Sequence, residues 1–298
     1  MSADERGLHM TTRRSFLAGT ICSCCCCIPL TRAFAATSAA STGSFDPEGL
    51  PTQLELGTEP MTRIASAVWV APLAPGLWLH TTTNVIAPGV HFPANGLILE
   101  RDDGSLLIDT TSQPDSAATL LQWSQQSLRS PIKQAVATHF HNDRTGGIPA
   151  LQSAGVPTVA HPLTLELARS HSMPVPTRAL DFDKNGVARL SKDCELYFPG
   201  AGHTRDNVVV WFPRQRVLSG GCLLKSETSA DLGNLADAVV TDWSDTVKRV
   251  QTRYSSAQKV VPGHGTISGD PIAHTLALCS NNAKRTASHP IDPRLRLD

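Results

Sequence analysis

The side chains with the clearest capacity for chemistry lie in His139-Phe-His141-Asn-Asp143, directly after an apolar stretch that ends at Thr138. A neutral imidazole and a carboxylate are both good zinc ligands. Alternate residues of an extended segment point to the same side, so a spacing of two aims His139, His141 and Asp143 at a common point. Two histidines alone are weak evidence. Two histidines and an aspartate in strict alternation, at a strand end and before Gly146-Gly147, indicate a metal site.

Three further potential ligands occupy equivalent places later in the chain. His203 follows the glycine-containing stretch 199–202, Cys222 follows Gly220-Gly221, and His264 lies between Gly263 and Gly265. Each alone is compatible with an ordinary buried side chain. All six candidates, however, fall at predicted strand ends beside glycines, which let the backbone approach a ligand closely. Because loops at strand ends carry the sites of layered α/β folds, we predict that the six side chains meet.

The elements that must position these residues follow one plan in each half of the chain. A hairpin is followed by a helix with apolar residues at helical spacing and then by a short apolar strand. This pattern predicts an α/β (α+β) fold in which each half packs helices on one side of a sheet. The predicted hairpin, helix and strand of the first half span 97–108, 116–128 and 132–138, and those of the second half span 208–219, 242–254 and 259–261, with a final helix over 272–284.

The start of the chain has the character of a targeting signal. Arg13-Arg14 precede an apolar or small stretch that runs from Phe16 to Leu30, and Ala33-Phe-Ala35 is a small-x-small cleavage signal. We predict a twin-arginine signal peptide over 1–35; an ordinary secretory signal that contains two arginines is the alternative. The segment 36–60, rich in Ser, Thr, Gly and Pro, is predicted to be flexible, and the main domain of two βα halves is predicted over 61–298.

The cysteines are concentrated in this signal. Five of the eight lie between Cys22 and Cys27, where they suit an apolar stretch as small hydrophobic residues. A lipid anchor on Cys24 is a further, less favoured interpretation. Cys194 and Cys279 could pair in an oxidising compartment, but the sequence does not show whether their Cα atoms are close enough. We expect a periplasmic or secreted protein.

Composition restricts the partners. Apolar residues make up 41% and charged residues 17% of the 298 residues, and the formal net charge is zero. A neutral chain gives no support for a nucleic-acid or membrane-surface partner. The apolar run before Pro29 is too short for a stable membrane span. We expect a monomer that acts on a small molecule.

Together, the 139–143 motif, His203, Gly-Gly-Cys222 and Gly-His264-Gly resemble the metallo-β-lactamases, specifically subclass B1. The resemblance runs from about residue 69 to about residue 284. It implies a four-layer αβ/βα sandwich with the metals at the edge between two sheets. Lactonases and thioesterases of the wider superfamily usually have a histidine where Arg144 stands and a bridging aspartate where Cys222 stands. Both differences favour the β-lactamase branch.

The resemblance also implies the ligand sets and the reaction. It assigns one zinc to His139, His141 and His203, and a second zinc to Asp143, Cys222 and His264. Three neutral histidines leave the first zinc at about +2, whereas a carboxylate and a thiolate nearly neutralise the second. Such a centre can lower the pKa of bound water from near 16 to around 7 and polarise a carbonyl. The expected reaction is attack of a zinc-bound hydroxide on the β-lactam amide of penicillins, cephalosporins and carbapenems, which gives antibiotic resistance.

The resemblance also implies that Asp143, Lys225 and Asn234 are catalytic, and that Lys225 and Asn234 bind the substrate. Lys225, three residues after Cys222, resembles the lysine that pairs with the substrate carboxylate; the alternative is a solvated surface lysine. Asn234 resembles the residue near the β-lactam carbonyl; the alternative is an asparagine in a turn.

Supporting roles are expected for four other residues. Asp109, at a strand end, is placed to orient a ligand histidine, although a strand-end or capping aspartate is the simpler alternative. Arg144 is expected near Cys222 and Asp143. A loop over 84–96 is expected to cover the substrate and to offer apolar contacts from Val90 and Phe92.

Two other functions remain open from the sequence. A lactonase or thioesterase would use the same fold, and fold alone does not decide the reaction. A zinc-binding or storage protein without catalysis is suggested by the Cys22–Cys27 run.

Overall fold

The chain forms two β-sheets that pack against one another around a shared core. The computed structural model describes residues 56–57, 60–87 and 90–288, with side chains described for all of these except 84–91 and 286–288. The predicted signal peptide, nearly all of the predicted flexible segment, and Cys24 lie outside the described residues, as does the side chain of Val90.

The first sheet has eight strands in sequence order. They are β1 (Thr62–Ala65), β2 (Val68–Ala74), β3 (Leu77–Ala87), β4 (Val90–Leu99), β5 (Ser105–Ile108), β6 (Ile132–Ala137), β7 (Thr158–Ala160) and β8 (Arg178–Ala179). Four helices belong to this half: α1 (Pro114–Ser127), α2 (Asn142–Thr145), α3 (Ile148–Ser153) and α4 (Pro162–Ser170).

The second sheet has five strands in the order β13-β12-β11-β10-β9. They are β9 (Val187–Ser191), β10 (Cys194–Tyr197), β11 (Val209–Phe212), β12 (Val217–Gly221) and β13 (Lys259–Pro262). Helices α5 (Val240–Arg253) and α6 (Pro271–Ser288) complete this half.

The predicted similarity of the two halves is present in the strand pairing. β4 and β5 are antiparallel, and β5 then pairs in parallel with β6 across α1. Likewise, β11 and β12 are antiparallel, and β12 pairs in parallel with β13 across α5. Because β11 runs opposite to β12, the residues before β11 lie at the same edge as those after β12 and β13. The candidate ligands of the second half therefore come to one edge.

Strand alternation produces four layers. Leu97 and Leu99 of β4 face a core between the sheets that also contains Val210 of β11, while Ile98 faces the helices α1 and α3. In the second sheet, Leu218 faces a cluster formed with α5 and α6. Successive strand residues point to opposite faces, so each sheet buries one face against the other sheet and one against helices. The fold is an α/β sandwich, as the sequence predicts.

One expected loop is a hairpin. Strands β3 and β4 pair along 84–96 out to Ala87 and Val90, with Asn84 opposite Phe92. The segment is therefore a paired ribbon, because its backbone groups satisfy one another across the ladder. No helix among the described residues is both long and apolar enough to cross a bilayer.

Candidate metal centre

Three histidines form the first cluster of candidate ligands. His139, His141 and His203 each offer a ring nitrogen, and these atoms lie within 4.8 Å of one another. His141 Nδ1 and His203 Nε2 are 3.2 Å apart. His139 Nε2 and His203 Nδ1 are buried without a hydrogen-bond partner among the described residues. Burial holds the pKa values of His139 and His203 well below their usual range, so both rings are neutral, as metal binding requires.

Asp237 was not found by the sequence analysis, although it fixes the orientation of this cluster. His141 Nε2 donates to Asp237 Oδ2 at 2.8 Å. This bond leaves Nδ1 of His141 as the nitrogen that faces the other histidines, which is the usual arrangement of a metal-binding histidine and its carboxylate partner. Asp237 has no regular spacing to the other ligands along the chain, so no sequence signal marks it.

The second cluster joins Asp143, Cys222 and His264. The Cys222 Sγ atom is 3.1 Å from His264 Nε2 and 3.5 Å from Asp143 Oδ2, and His264 Nε2 is 3.0 Å from Asp143 Oδ2. Asp143 and Cys222 also lie within 4.8 Å of His139. The two clusters are therefore neighbours that adjoin at His139.

The backbone at Asp143 differs from the extended segment that was predicted. His139 and His141 lie in a bend after β6, whereas Asp143 lies in the first turn of α2. The turn packs so closely that a Cβ atom on Gly147 would collide with the backbone oxygen of Thr110. The side chains still meet, but a bend and a helical turn bring them together instead of strand alternation.

Arg144 contacts two members of the second cluster, Cys222 and Asp143, from the protein interior. Its fully buried guanidinium donates to Cys222 Sγ at 3.1 Å and lies 3.0 Å from Asp143 Oδ2. Burial opposes its charge, but Asp143, Cys222 and Asp109 raise the pKa of Arg144 above its usual value. The same cation, together with His264, outweighs burial and keeps the pKa of Asp143 well below its usual range. Arg144 thus helps to keep Asp143 ionised.

Gly263 makes this arrangement possible. Its backbone oxygen accepts a hydrogen bond from Arg144 Nη2 at 2.9 Å. A Cβ atom at position 263 would lie 2.7 Å from that same nitrogen, which is inside van der Waals contact. Only glycine allows the β13 end to approach the guanidinium this closely.

Asp109 supports the ligands indirectly. Its carboxylate accepts from the Thr138 backbone and hydroxyl at 2.9 and 3.1 Å and from Arg144 Nη1 at 3.2 Å. It was expected to orient a histidine. Its partners are Thr138 and Arg144, and the Thr138 hydroxyl lies 3.4 Å from His139 Nδ1, so the connection to the ligand histidine runs through Thr138. Asp109 has a φ of 62°, a left-handed conformation that aspartate tolerates better than most residues.

His264 is fixed from its outer side. Its Nδ1 donates to Pro93 O at 2.7 Å, and the Phe92 ring lies against it with a centroid separation of 4.3 Å. Burial opposes its charge, but Cys222 and Asp143 raise the pKa of His264 to about 9. A metal ion would displace this proton on binding.

The donor set fits zinc. Imidazole, carboxylate and thiolate are the side chains that zinc prefers. The first cluster offers three of them within 4.8 Å of one another, and the second offers three within 3.5 Å of one another. The buried, unpartnered His139 Nε2 supports this fit, because an unsatisfied buried nitrogen is costly unless something binds it.

Lys225 lies near the second cluster, and Asn234 directly follows Gly233, which lies next to the Lys225 ammonium group. Lys225 is partly buried, and its Nζ lies 5.3 Å from the centre of the Trp243 ring. Burial lowers the pKa of Lys225, whereas the nearby Cys222 and Asp143 raise it. Asn234 is exposed, and its side-chain oxygen accepts from Ala236 N at 3.0 Å, which is the turn geometry of the alternative interpretation.

Among the described residues, two cysteines lie outside the clusters. Cys194 and Cys279 are both free and buried, so the structure does not contain the disulfide that the sequence left open.

Comparison with known proteins places this geometry in a family context. The family model described as "Metallo-beta-lactamase superfamily" matches residues 89–264. A protein named metallo-beta-lactamase type 2 from Bacillus cereus is 36% identical over 214 residues, which cover 70% of this chain and 81% of the relative. A protein of the same name from Bacteroides fragilis is 31% identical over 226 residues, which cover 76% and 90%.

Solved structures show the same similarity at the level of the fold. A metallo-beta-lactamase from Erythrobacter litoralis superposes with a TM-score of 0.71 at 33% identity, covering 74% of this chain and 99% of that one. One from Pseudomonas aeruginosa, solved in a mono-zinc form, gives a TM-score of 0.71 at 34% identity and covers 74% and 98%.

Proposed function

The chain belongs to the metallo-β-lactamase superfamily, and on that premise we propose that it is a two-zinc β-lactamase of subclass B1. The observation that carries the proposal is the meeting of the six side chains in two adjoining clusters at one edge of the sandwich. The proposed substrates are penicillins, cephalosporins and carbapenems. Relatives with 31–36% identity carry the name metallo-beta-lactamase type 2, which supports the same reaction.

Two residues support the subclass. Cys222 supplies a sulfur ligand to the second cluster where a lactonase or thioesterase would be expected to supply an aspartate. Arg144 donates to that sulfur at 3.1 Å, so position 144 is a positioning residue and not a ligand. A histidine at position 144 would instead add a neutral or cationic ring beside Asp143.

The ligands divide the site into two unequal metal positions. His139, His141 and His203 would hold one zinc through neutral nitrogens, and Asp143, Cys222 and His264 would hold the other through two anions and one nitrogen. When bound, zinc supplies an activated water at neutral pH and polarises a carbonyl. Asp143 belongs to the second cluster and also borders the first, with carboxylate oxygens 4.0 Å from His139 Nε2 and 3.0 Å from His264 Nε2, so we assign it a catalytic role at the junction of the two metal positions.

Substrate recognition is proposed for Lys225, with Asn234 nearby. A Cβ atom on Gly233 would lie 3.5 Å from Lys225 Nζ, so the ammonium group lies next to the turn that carries Asn234. An ammonium group suits the carboxylate shared by most β-lactams. Asn234 would offer its amide nitrogen to the lactam carbonyl while its oxygen accepts from Ala236 N in the turn. Phe92, 36% exposed against His264, offers an apolar contact from the hairpin.

Export is part of the proposal. The Arg13-Arg14 signal would deliver a folded, metal-loaded protein to the periplasm or the exterior, where Cys222 must stay reduced to bind metal. Sequencing the N-terminus of protein recovered outside the cytoplasm tests this. A mature start near Ala36 supports cleavage of the signal, and retention of residues 22–27 contradicts it.

The decisive test is turnover of a chromogenic cephalosporin with and without a strong chelator, paired with two cysteine variants. Cys222→Ser should abolish most turnover, whereas Cys279→Ser should retain it, because Cys279 lies in the α5–α6 core cluster. Turnover of a lactone or thioester without turnover of any β-lactam would establish the alternative hydrolase. Zinc binding without turnover of any of these would indicate a protein that only holds metal.

A further inference from the structure

Trp243 is a fully buried aromatic residue that packs in the core of the second half and also contacts residues of the candidate metal centre. It lies on α5 with 0% exposure, and its indole Nε1 donates to Leu223 O at 2.9 Å. A Cβ atom on Gly202 would lie 3.2 Å from its Cδ1 atom. The hydrogen bond and the close backbone on either side fix the plane of the ring.

Two residues of the candidate site contact that fixed ring. Lys225 Nζ lies over it at 5.3 Å from the centroid. The His203 ring packs against it with centroids 5.7 Å apart and an interplanar angle of 58°. One indole therefore contacts both the proposed carboxylate anchor and a proposed ligand of the first zinc.

The contact with Lys225 has a physical reason to matter. Burial disfavours the ammonium ion at this position, and the negative face of an indole attracts a cation within about 6 Å. Lysine has a long flexible side chain that loses conformational freedom when it is held in one place. An aromatic face beneath Nζ reduces that cost before substrate arrives and directs the ammonium group toward the clusters.

We propose that Trp243 is a positioning residue that holds the Lys225 ammonium group for a substrate carboxylate and, through its packing on His203, links that anchor to the first metal position. This inference rests on the proposed β-lactamase function, and in particular on Lys225 as the anchor. The probe is therefore a cephalosporin with a free carboxylate, compared with its methyl ester.

The test is a double-mutant cycle of Trp243→Leu and Lys225→Met in zinc-saturated enzyme. Trp243→Leu should raise KM for the carboxylate substrate about tenfold, within the range found for partly desolvated cation–π contacts, while kcat changes less than about threefold. In the Lys225→Met background, the same tryptophan change should leave KM within about twofold, because the cation that it positions is gone. KM for the methyl ester should be nearly insensitive to either change. Trp243→Phe, which keeps an aromatic face, should recover most of the loss.

Trp69→Leu is the matched control. Trp69 is also fully buried, and it also has a cation over its ring, Arg63 at 5.4 Å, but it lies in the core between the sheets. Trp69→Leu should lower the unfolding midpoint without the carboxylate-specific change in KM. Equal KM effects of Trp243→Leu with and without Lys225, or equal effects on the acid and the ester, would overturn the proposal.

Two measurements without turnover separate this inference from the proposed function. The Trp243 indole NH resonance, assigned by its loss in Trp243→Phe, should move on Lys225→Met whether or not the protein hydrolyses β-lactams. Zinc affinity, measured by chelator competition, should fall several-fold at one of two sites in Trp243→Leu. An unmoved resonance refutes the Lys225 contact, and unchanged zinc affinity refutes the link to His203. Absence of turnover with a moved resonance counts against the β-lactamase proposal alone.

Discussion

The contact between His141 and Asp237 gives a prediction that separates orientation of a ligand from ligation itself. Asp237→Ala removes the acceptor for His141 Nε2 at 2.8 Å but leaves all six proposed ligands in place. The His141 ring then loses the bond that fixes its proton on Nε2. We expect weaker binding of the first zinc and little change at the second.

The magnitude follows from the exposure of the pair. A hydrogen bond that involves a charged group contributes about 1.5–3 kcal/mol, and loss of a carboxylate behind a metal-binding histidine typically costs 10–100-fold in affinity. The Asp237 side chain is 31% exposed and that of His141 is 16% exposed, so water can replace part of the lost bond. The expected loss is therefore at the lower end, about tenfold. Asp237→Asn, which keeps a neutral acceptor, should lose about threefold.

The assay is competition with a zinc-binding indicator, fitted for two sites, at fixed pH and ionic strength. Asp245→Asn is the control, because Asp245 is an exposed acid that pairs with Lys248 at 2.8 Å on α5, and its loss should leave both affinities unchanged. If Asp237→Ala weakens both sites equally, the carboxylate acts through general charge and not through His141. Affinities equal to those of the unaltered protein would refute the orienting role.

Three other perturbations test separate parts of the structure. Cys222→Ser should weaken the second zinc far more than the first in metal analysis after dialysis, because thiolate is its softest ligand; parallel loss of both metals would contradict the two-cluster assignment. Arg144→Gln should lower the free energy of unfolding of the zinc-free protein by about 3 kcal/mol in urea titrations, because it leaves the carboxylates of Asp109 and Asp143 without their cation. The loss should be smaller in the zinc-loaded protein, where the metal supplies positive charge in place of the guanidinium. Burial lowers the pKa of His80 to about 4, so the unfolded chain takes up a proton below pH 6.5 that the folded chain does not. This should cost up to about 3 kcal/mol of stability between pH 6.5 and 4. In urea titrations, His80→Asn should show a decline that is smaller by about that amount, because His139 and His203 still contribute.

The sequence predicts the positions of functional residues well where metal-type side chains lie at the ends of predicted strands. The six candidate ligands were identified because each follows or precedes a short apolar strand beside glycine, and the pairing of β5 with β6 and of β12 with β13 brings those strand ends to one edge. Helices α1 and α5 were located within two residues at each end because apolar residues recur on one face, as in α5 with Trp243, Val247 and Val250 buried. In contrast, α6 extends four residues beyond its predicted end, and α2, α3 and α4 were not predicted.

Prediction from the sequence fails where contacts depend on packing between distant segments. Asp237 is one of 26 acidic residues, and nothing in its neighbourhood marks it as the partner of His141. Asp109 was expected to orient a ligand histidine, but the sequence did not indicate that Thr138 and Arg144 would be its partners. The 84–96 segment was predicted to be a loop, whereas β3 and β4 pair along it out to Ala87 and Val90. Such outcomes depend on which backbone groups find partners, which a linear pattern does not encode.

The charges around the second cluster show how the ligand geometry can exist before any metal binds. The Asp143 carboxylate is partly buried 3.5 Å from Cys222 Sγ, and a buried charge is costly unless an opposite charge pairs with it. Arg144 lies within 3.1 Å of both, and its position is fixed by Asp109 and by the backbone oxygens of Asn95 and Gly263. The guanidinium therefore supplies the compensating charge from the protein interior. Cys222 and Asp143 remain in contact with His264. A lysine could supply the charge, but it could not donate to all five of these partners at once from one planar group, so Arg144→Lys should leave Cys222 and Asp143 less well aligned than the native arginine does.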